Sequence, residues 1–313
     1  MSLTMTLPVH IPVLAEEVIE ALRIQPGKRY IDCTLGSGGH AKAIMGKNFP
    51  DVQLLGIDTD MEALKTAKNR LADYSTSIML INDNFINLEA ICKENDFLPA
   101  DGILFDLGIS SLQIENAERG FSFQHDGPLD MRFSPTQELT AADIINTLPE
   151  DKLHQLIRIY GEEYHSRQIA RHIINNRPIS STLELSKIVE HATGGRRGKI
   201  HPATKTFMAL RIATNRELKN IAAVLEQAIR CLNHEGRLVV ISYHSLEDRL
   251  VKQFMKHESQ GCICPPEALT CHCGHTPILK LISKKVITPS REEMSSNPRS
   301  RSAKLRVAEY IAN

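Results

Sequence analysis

The sequence predicts an α/β fold in which strands and helices alternate around a parallel sheet, with a helical domain inserted between two strands. Three observations support this prediction. Short β-prone runs alternate with helical stretches in the first third of the chain, a glycine-rich turn follows the first run, and about one hundred residues without a convincing strand then interrupt the alternation. Strands that alternate with helices form parallel βαβ units, which bind ligands beyond the carboxyl ends of their strands.

Hydrophobic periodicity places the early elements. In chain order they are the strand Tyr30–Cys33, the helix Ala41–Met45, the strand Val52–Ile57, the helix Met61–Leu71, the strand Ile78–Ile81, the helix Leu88–Glu94 and the strand Gly102–Phe105. Met61, Leu64, Ala67 and Leu71 recur at helical spacing, which makes the second helix the clearest of the three. This order predicts a Rossmann-like sheet.

The alternation stops after the fourth strand and resumes late in the chain. The later elements are helical stretches such as Asp151–Tyr160 and Tyr164–Asn175, a helix at Glu217–Leu232, a strand at Gly236–Ile241, and strand candidates at Leu279–Thr288 and Lys304–Tyr310. A long helical block between strands of one sheet is typical of an inserted domain. We therefore expect residues 1–111 and 215–313 to form the ligand-binding core and residues 112–214 to form an inserted helical domain.

Composition indicates a soluble globular protein. The 313 residues are 42% hydrophobic and 24% charged, which is ordinary for this class. The longest apolar runs, such as Leu238–Ile241, are too short to span a bilayer, and Met1–His10 lacks a positive region followed by a long apolar core. We expect a cytosolic protein without a membrane segment or secretory signal.

Charge is balanced overall but unevenly distributed. Lys plus Arg equals Asp plus Glu, at 37 each, yet residues 51–151 carry 19 acidic and 6 basic side chains while residues 166–219 carry 11 basic and 3 acidic ones. Opposed blocks fit a protein with one anion-binding face. They also fit solvated helix faces that alternate in sign, so charge alone leaves both interpretations open.

Candidate site residues follow the ends of the four early strands, where parallel sheets bind ligands. They are Gly36, Asp58, Asp83 and Asp106. The turn Gly36–Ala41 matches the G-x-G-x-x-A pattern of dinucleotide sites, and Asp58 is in range as the acid that binds a ribose. The cofactor S-adenosylmethionine satisfies the same pattern, because it also presents an adenosine.

The remaining strand ends discriminate between these two cofactors. Asn82–Phe85 offers polar groups and an aromatic ring suited to an adenine, and Asp106–Gly108 places a carboxylate near the reacting groups. An acid-lined crevice suits a positively charged sulfonium better than it suits a pyrophosphate. A methyltransferase is therefore favoured, with an NAD-linked oxidoreductase as the alternative.

Six motifs spread between His10 and Glu309 resemble the signatures of the bacterial ribosomal RNA small-subunit methyltransferase H family, also called MraW. They are Ile103–Gln113, Ala117–Phe123, Asp126–Arg132, His201–Phe207, Ser242–Arg249 and Asn297–Ser302. The resemblance implies a class I S-adenosylmethionine-dependent methyltransferase core with an inserted helical domain. It also implies methylation of the exocyclic N4 of one cytidine in the decoding region of 16S ribosomal RNA, in the small ribosomal subunit.

The resemblance also implies a set of cofactor contacts. They are Gly38, Gly39, His40, Asp58, Phe85, Asp106 and Gln113. The glycines admit the methionine part of the ligand, Asp58 accepts the ribose hydroxyls, and Phe85 lies against the adenine. To these we add Asp83 as an acceptor for the adenine amino group. Structural alternatives exist: Asp58 fits a helix N-cap, and Phe85 fits a core residue.

Methyl transfer to an amino group requires alignment more than a strong base or a metal. We expect Asp106, or a carbonyl near Leu107, to accept a hydrogen bond from the cytosine amino group and then its proton. Many amino-methyltransferases place prolines and an aromatic residue after the acid at this strand end, and Asp106–Ile109 lacks them. Farther along the chain, His244 fits a contact to the target base, and Ser245 with Asp248 fits a capping box at the start of the helix Leu246–Met255.

An RNA substrate predicts a basic rim, because the target base must leave its stack and the flanking phosphates need cations. The expected members are Arg196, Arg197, Lys199, Lys205, Arg211, Arg299, Arg301 and Arg306. A ribosome-assembly factor without turnover would need the same rim, but the intact Gly38, Asp58 and Asp106 argue against that alternative. A homodimer is compatible with the sequence.

The seven cysteines fall into two groups. Cys33, Cys92 and Cys231 are scattered and are expected in the core, whereas Cys262, Cys264, Cys271 and Cys273 form a cluster. Four thiolates suit zinc, although C-x-C departs from the usual C-x₂₋₄-C spacing. Reduced thiols in a surface loop are the alternative, and catalysis requires no metal.

Overall fold

The protein is described by a computed structural model, which covers residues 11–312 except 48, 197, 199, 266 and 269. The segment Met1–His10, predicted to lack a secretory signal, lies outside the described residues. The described chain forms two compact units. Ile109–Asn220 is the helical unit, and the residues up to Gly108 together with those from Ile221 onward are the sheet unit.

Seven strands in the described chain form one sheet with the order β3-β2-β1-β4-β5-β7-β6. The strands are β1 (Arg29–Asp32), β2 (Gln53–Asp58), β3 (Ile78–Asn82), β4 (Ala100–Asp106), β5 (Leu232–Ser242), β6 (Leu279–Leu281) and β7 (Lys304–Tyr310). The first five pair in parallel, and β7 pairs antiparallel with β5 and β6. The run 3-2-1-4-5 is the doubly wound order. The predicted Rossmann-like α/β fold class is confirmed.

Helices flank the sheet and build the helical unit. In chain order they are α1 (Ala15–Leu22), α2 (Gly39–Met45), α3 (Met61–Arg70), α4 (Leu88–Glu94), α5 (Ser111–Glu115), α6 (Ala141–Thr147), α7 (Glu150–Gly161), α8 (Ser166–Asn175), α9 (Thr182–Ala192), α10 (Ala203–Asn215), α11 (Glu217–Cys231), α12 (Ser245–Glu258) and α13 (Arg291–Ser296). Short 3₁₀ segments lie at Ala72–Tyr74, Phe85–Asn87, Ala117–Arg119 and Pro298–Ser302. None of the helices in the described part of the chain is both long enough and apolar enough to cross a membrane.

The sheet has an apolar core on each face. Successive strand residues point to opposite faces, so Leu54 packs with α1, α2 and α3 while its neighbour Leu55 packs with α4, α11 and α12. The three isolated cysteines are all buried in the core that contains Leu55. They are Cys33, Cys92 and Cys231. Burial on both faces explains why the strands are nearly continuous apolar runs.

The helical unit has its own core, which gathers apolar residues from α6 to α10. Leu153 and Ile157 of α7 are buried in it with Leu210 of α10. The end of α7 lies against α10 so closely that a β-carbon added at Gly161 would be 2.7 Å from the carbonyl oxygen of Lys205. Glycine at this position therefore sets how near the two helices can pack.

The sequence placed the early strands within two residues of their observed bounds and the tail strand Lys304–Tyr310 at its observed bounds, but it was wrong about the other tail strand. The predicted strand Leu279–Thr288 is instead the short β6 and an isolated bridge between Ile287 and Leu305. The amide of Ile282 bonds to the carbonyl of Val307, and Ile287 pairs with Leu305. The chain therefore advances five residues, from 282 to 287, while β7 advances only two. The excess residues must leave the ladder, and Lys284 and Lys285 are exposed there.

Candidate functional site

The glycine turn after β1 is locked to the neighbouring strands. The amide of Cys33 donates to the carbonyl of Leu104 at 2.9 Å, and the amide of Leu35 donates to the carbonyl of Ile57 at 3.0 Å. Gly38 has φ 78°, and a β-carbon there would lie 3.0 Å from Cδ1 of Leu71. Only glycine combines this backbone conformation with this close approach to α3.

Asp58, the last residue of β2, forms a hydrogen bond with the backbone of this turn. Its Oδ2 accepts the Gly36 amide at 2.7 Å, and its Oδ1 accepts the Asp60 amide at 2.8 Å. Burial raises the pKa of Asp58 to about 6, although these hydrogen bonds oppose the shift. The alternative assignment of Asp58 as the N-cap of α3 is wrong, because Asp60 fills that place and accepts the Glu62 amide.

Asp32, the last residue of β1, is a member of the site that sequence reasoning missed. It is only 1% exposed, and burial raises its pKa to about 6 while nearby His40 lowers it. Its Oδ1 accepts the Thr34 amide, and its Oδ2 is buried with no hydrogen-bond partner among the described residues. The predicted strand continues to Cys33 and so places Asp32 inside it, whereas the observed β1 ends at Asp32 as β2 and β4 end at Asp58 and Asp106.

Asp106, the last residue of β4, is held from three sides. The Tyr243 hydroxyl donates to its Oδ1 at 2.8 Å, Nε2 of His40 lies 3.4 Å from its Oδ2, and its amide donates to Oγ1 of Thr34 at 2.6 Å. Burial lowers the pKa of His40, but the contact with Asp106 outweighs this effect, so the pKa is raised. Tyr243 lies in the motif Ser242–Arg249, and its contact with Asp106 is a role that the motif alone does not predict.

Tyr243 stays a neutral donor in this arrangement. Burial, together with the charge of Asp106, raises the pKa of its hydroxyl well above the ordinary value. His40 is only 5% exposed and lies beside Asp32 and Asp106, so it acts as a buried partner of the carboxylates. It remains a predicted cofactor contact.

The end of β3 carries the residues predicted to face an adenine. Oδ1 of Asp83 accepts from the Asn84 amide and from Nδ2 of Asn87, so this oxygen organises the loop. The Phe85 ring is half-buried and meets the edge of Phe105 with centroids 5.9 Å apart. Phe85 thus contributes to the core, as the structural alternative proposed, and remains partly accessible.

Gln113, another predicted cofactor contact, lies in the helical unit. Its side chain accepts the Ser110 amide at 3.1 Å, and the Ser110 hydroxyl accepts the Gln113 amide, which makes a capping box at the start of α5. The structure therefore shows a local capping role for Gln113.

The start of α12 differs from the predicted capping box. The N-cap is His244, not Ser245, and its partner at the third helical position is Glu247, not Asp248. The Glu247 carboxylate accepts the amides of both Tyr243 and His244, which keeps these two residues extended before the helix begins. Asp248 is engaged elsewhere, by Arg306 at 2.7 Å and by Lys304 at 3.2 Å.

Two members of the predicted basic rim form ion pairs with carboxylates of their own units. Arg211 makes a two-bond contact with Glu217, at 2.8 Å for each bond, and Arg306 pairs with Asp248. Lys205 is half-exposed and lies 3.7 Å from Glu163, while Arg299 and Arg301 are exposed. Arg197 and Lys199 lie outside the described residues. Arg211 and Arg306 are therefore already paired with carboxylates, and their place in the basic rim stays a prediction.

The sheet edge thus collects Asp32, Asp58 and Asp106 with a glycine turn and a half-buried aromatic ring. This chemistry fits an adenosyl sulfonium, because carboxylates suit both a ribose diol and a nearby positive charge. The fold and this edge define the class of protein as a Rossmann-like methyltransferase.

Comparison with known proteins identifies the family. Residues 8–311 match the MraW methylase family, and the chain belongs to it. A ribosomal RNA small subunit methyltransferase H from Dehalococcoides mccartyi is 57% identical over 96% of this chain and 86% of its own length. One from Thermomicrobium roseum is 48% identical over 97% of this chain and 94% of its own. A solved rRNA methylase from Streptococcus thermophilus, 12% identical with a TM-score of 0.41, covers 95% of this chain and 94% of its own, a likeness too distant to bear on function.

The raised pKa of Asp58 predicts that cofactor binding depends on pH. As the pH falls through about 6, Asp58 gains a proton and loses the charge and one acceptor site that a ribose diol needs. We expect equilibrium dialysis with labelled S-adenosylmethionine to show affinity falling across this range. Asp58→Asn should bind about 10- to 100-fold more weakly at neutral pH, the cost of about 1–3 kcal/mol for a lost charged hydrogen bond.

Asp32→Asn is the matched control, because the pKa of Asp32 is also raised to about 6. This variant should keep a pH-dependent affinity if Asp58 is the group that titrates, whereas Asp58→Asn should lose it. A wild-type affinity that is flat between about pH 5 and 8 would contradict the assignment.

Proposed function

We propose that the protein transfers a methyl group from S-adenosylmethionine to the exocyclic N4 of one cytidine in the decoding region of 16S ribosomal RNA, within the small ribosomal subunit. The observation that carries this proposal is the Asp106 carboxylate, fixed at the end of β4 by Tyr243, His40 and Thr34. Membership of the MraW methylase family and the names of relatives that share up to 57% identity support the ribosomal RNA substrate. Such a substrate implies that the enzyme works in the cytoplasm.

Each part of the sheet edge has a role in holding the cofactor. Asp58 accepts the ribose hydroxyls, the half-buried Phe85 covers the adenine, and Gly38 and Gly39 leave room for the methionine part. When bound, S-adenosylmethionine supplies a methyl group already activated by the positive charge of its sulfonium. The residues of the protein therefore have to orient the acceptor, exclude water and receive one proton.

Asp106 is suited to the acceptor side of the reaction. The lone pair of N4 is delocalised into the cytosine ring, so a hydrogen-bond acceptor on the amino protons helps the nitrogen to become tetrahedral. A carboxylate oxygen of Asp106 makes this bond and receives the proton that the amino group loses. Tyr243 and His40 hold the carboxylate in place.

RNA recognition is assigned to the helical unit, the predicted inserted domain of residues 112–214, and to basic side chains of both units. The target base leaves its stack to reach the carboxylate, and exposed cations hold the flanking phosphates. Arg196, Arg299 and Arg301 are exposed, and Lys205 is half-exposed, so these four are the described candidates. Phosphate contacts make binding weaker as salt rises.

Identification of the methylated nucleoside tests the proposal. Small subunits that lack the modification are incubated with the protein and labelled S-adenosylmethionine, and the RNA is digested and separated by mass spectrometry. We expect label in an N4-methylated cytidine from 16S RNA. Label on carbon 5 of cytosine, in another nucleoside or only in large-subunit RNA would contradict the proposed acceptor.

Removal of the proposed proton acceptor tests the role of Asp106. Asp106→Asn keeps the shape of the side chain but offers a much weaker proton acceptor, so kcat at saturating cofactor should fall about 10²- to 10⁴-fold. The cofactor dissociation constant is measured separately, because Asp106 is also a predicted cofactor contact. Tyr243→Phe, which removes a partner of the carboxylate and not the carboxylate itself, should reduce kcat less. Near-normal turnover of Asp106→Asn at saturating cofactor would exclude a chemical role for this residue.

A further inference from the structure

Four cysteines converge far along the chain from the strand ends just described. Cys262, Cys264, Cys271 and Cys273 lie in the segment between α12 and β6, and their sulfur atoms are all within 4.8 Å of one another. Pairs of these sulfurs are separated by 3.4 Å for Cys262 and Cys271, 3.5 Å for Cys271 and Cys273, and 3.9 Å for Cys262 and Cys273. The sequence left a zinc site and reduced surface thiols as alternatives.

The spacing of the sulfurs fits a tetrahedral metal centre. Zinc binds thiolates at about 2.3 Å, which places the corners of a regular tetrahedron about 3.8 Å apart. The three distances above lie around this value. A disulfide would require sulfurs about 2.05 Å apart, so this arrangement is not a pair of disulfides. Four sulfurs at this separation repel one another as thiolates unless a cation lies between them.

Backbone amides provide a second, independent observation. The amides of Ile263 and His275 both donate to the sulfur of Cys273 at 3.5 Å, and the His272 amide donates to that of Cys264 at 3.4 Å. Amide donors around a sulfur favour its thiolate form and orient it toward a metal. The segment therefore supplies both the ligands and the hydrogen bonds that surround them.

We propose that Cys262, Cys264, Cys271 and Cys273 bind one zinc ion in a closed, structural site. Four protein ligands leave no open position for water or substrate, so the ion takes no part in methyl transfer. The two C-x-C pairs bring their sulfurs together because the residue between the first pair, Ile263, bonds through its amide to a sulfur of the second.

The site would help to order the segment that carries the four cysteines. Three of the four cysteines are exposed and the fourth is half-buried, so no apolar core encloses them. The segment joins the end of α12 to β6, where the Ile278 amide bonds to the Glu258 carbonyl at 2.9 Å. A metal that closes this loop reduces the conformational entropy of the unfolded chain. It thereby stabilises the connection between α12 and the edge strand β6.

Metal analysis of the full-length protein tests the proposal. The chain is purified without a polyhistidine tag or chelator, given a slight excess of zinc, desalted and analysed by plasma mass spectrometry. We expect about one zinc ion per chain and a lower unfolding temperature after chelation. Cys264→Ser should lose the bound zinc and the response to chelation. His272→Ala is the matched control, because this imidazole lies in the same segment but bonds to Oγ1 of Thr270.

Thiol titration separates the metal from oxidised cysteines. After chelation under denaturing conditions and without a reductant, all seven cysteines should react if the cluster holds zinc. Absence of zinc from the wild type, equal zinc in Cys264→Ser, unreactive cysteines that indicate disulfides, or iron in place of zinc would each overturn the proposal. Loss of zinc from His272→Ala alone would also overturn it, since the ligand set would then include an imidazole.

Discussion

The parallel pairing of β1 with β2 and β4 brings three carboxylates to one edge of the sheet and removes most of their water. Asp32 pairs in register with Gly56 and with Leu104, so Asp58 and Asp106 both lie two residues farther along their own strands. Burial disfavours the charged form of a carboxylate and raises the pKa values of Asp32 and Asp58 to about 6. Repulsion from Asp106 and Asp58 adds to the shift of Asp32. A bound cation would relieve this repulsion, and a sulfonium is such a cation.

The surrounding residues limit the cost of this charge. Backbone amides from Gly36 and Asp60 bond to Asp58, and the buried His40 faces Asp32 and Asp106. Tyr243 reaches Asp106 from the end of β5, and it is kept extended by the Glu247 carboxylate at the start of α12. The acceptor carboxylate thus depends on the register of the sheet and on the first turn of a helix that follows the fifth strand.

Much of this arrangement was accessible from sequence because it is local. The apolar runs that end at Asp58 and Asp106 fix both the strands and the edge where ligands bind, and the glycine turn after β1 marks the ligand's place. Contacts between residues far apart in sequence were not accessible. Tyr243 lies 137 residues from Asp106, and nothing in its motif signals that its hydroxyl would donate to that carboxylate. The one-residue error at the N-cap of α12 has a different origin, because the cap is a local contact between His244 and Glu247, a pair that the sequence analysis did not consider.

The central claim is that these strand ends bind one adenosyl sulfonium compound. Calorimetric titration of the purified chain with S-adenosylhomocysteine and, in parallel, with NAD⁺ measures this most directly. S-Adenosylhomocysteine keeps the adenosine and the amino-acid part of the cofactor but not the sulfonium charge. We expect saturable one-to-one heat with it, competition with S-adenosylmethionine, and no heat with NAD⁺. No heat with S-adenosylhomocysteine, or saturable binding of NAD⁺ at the same site, would contradict it.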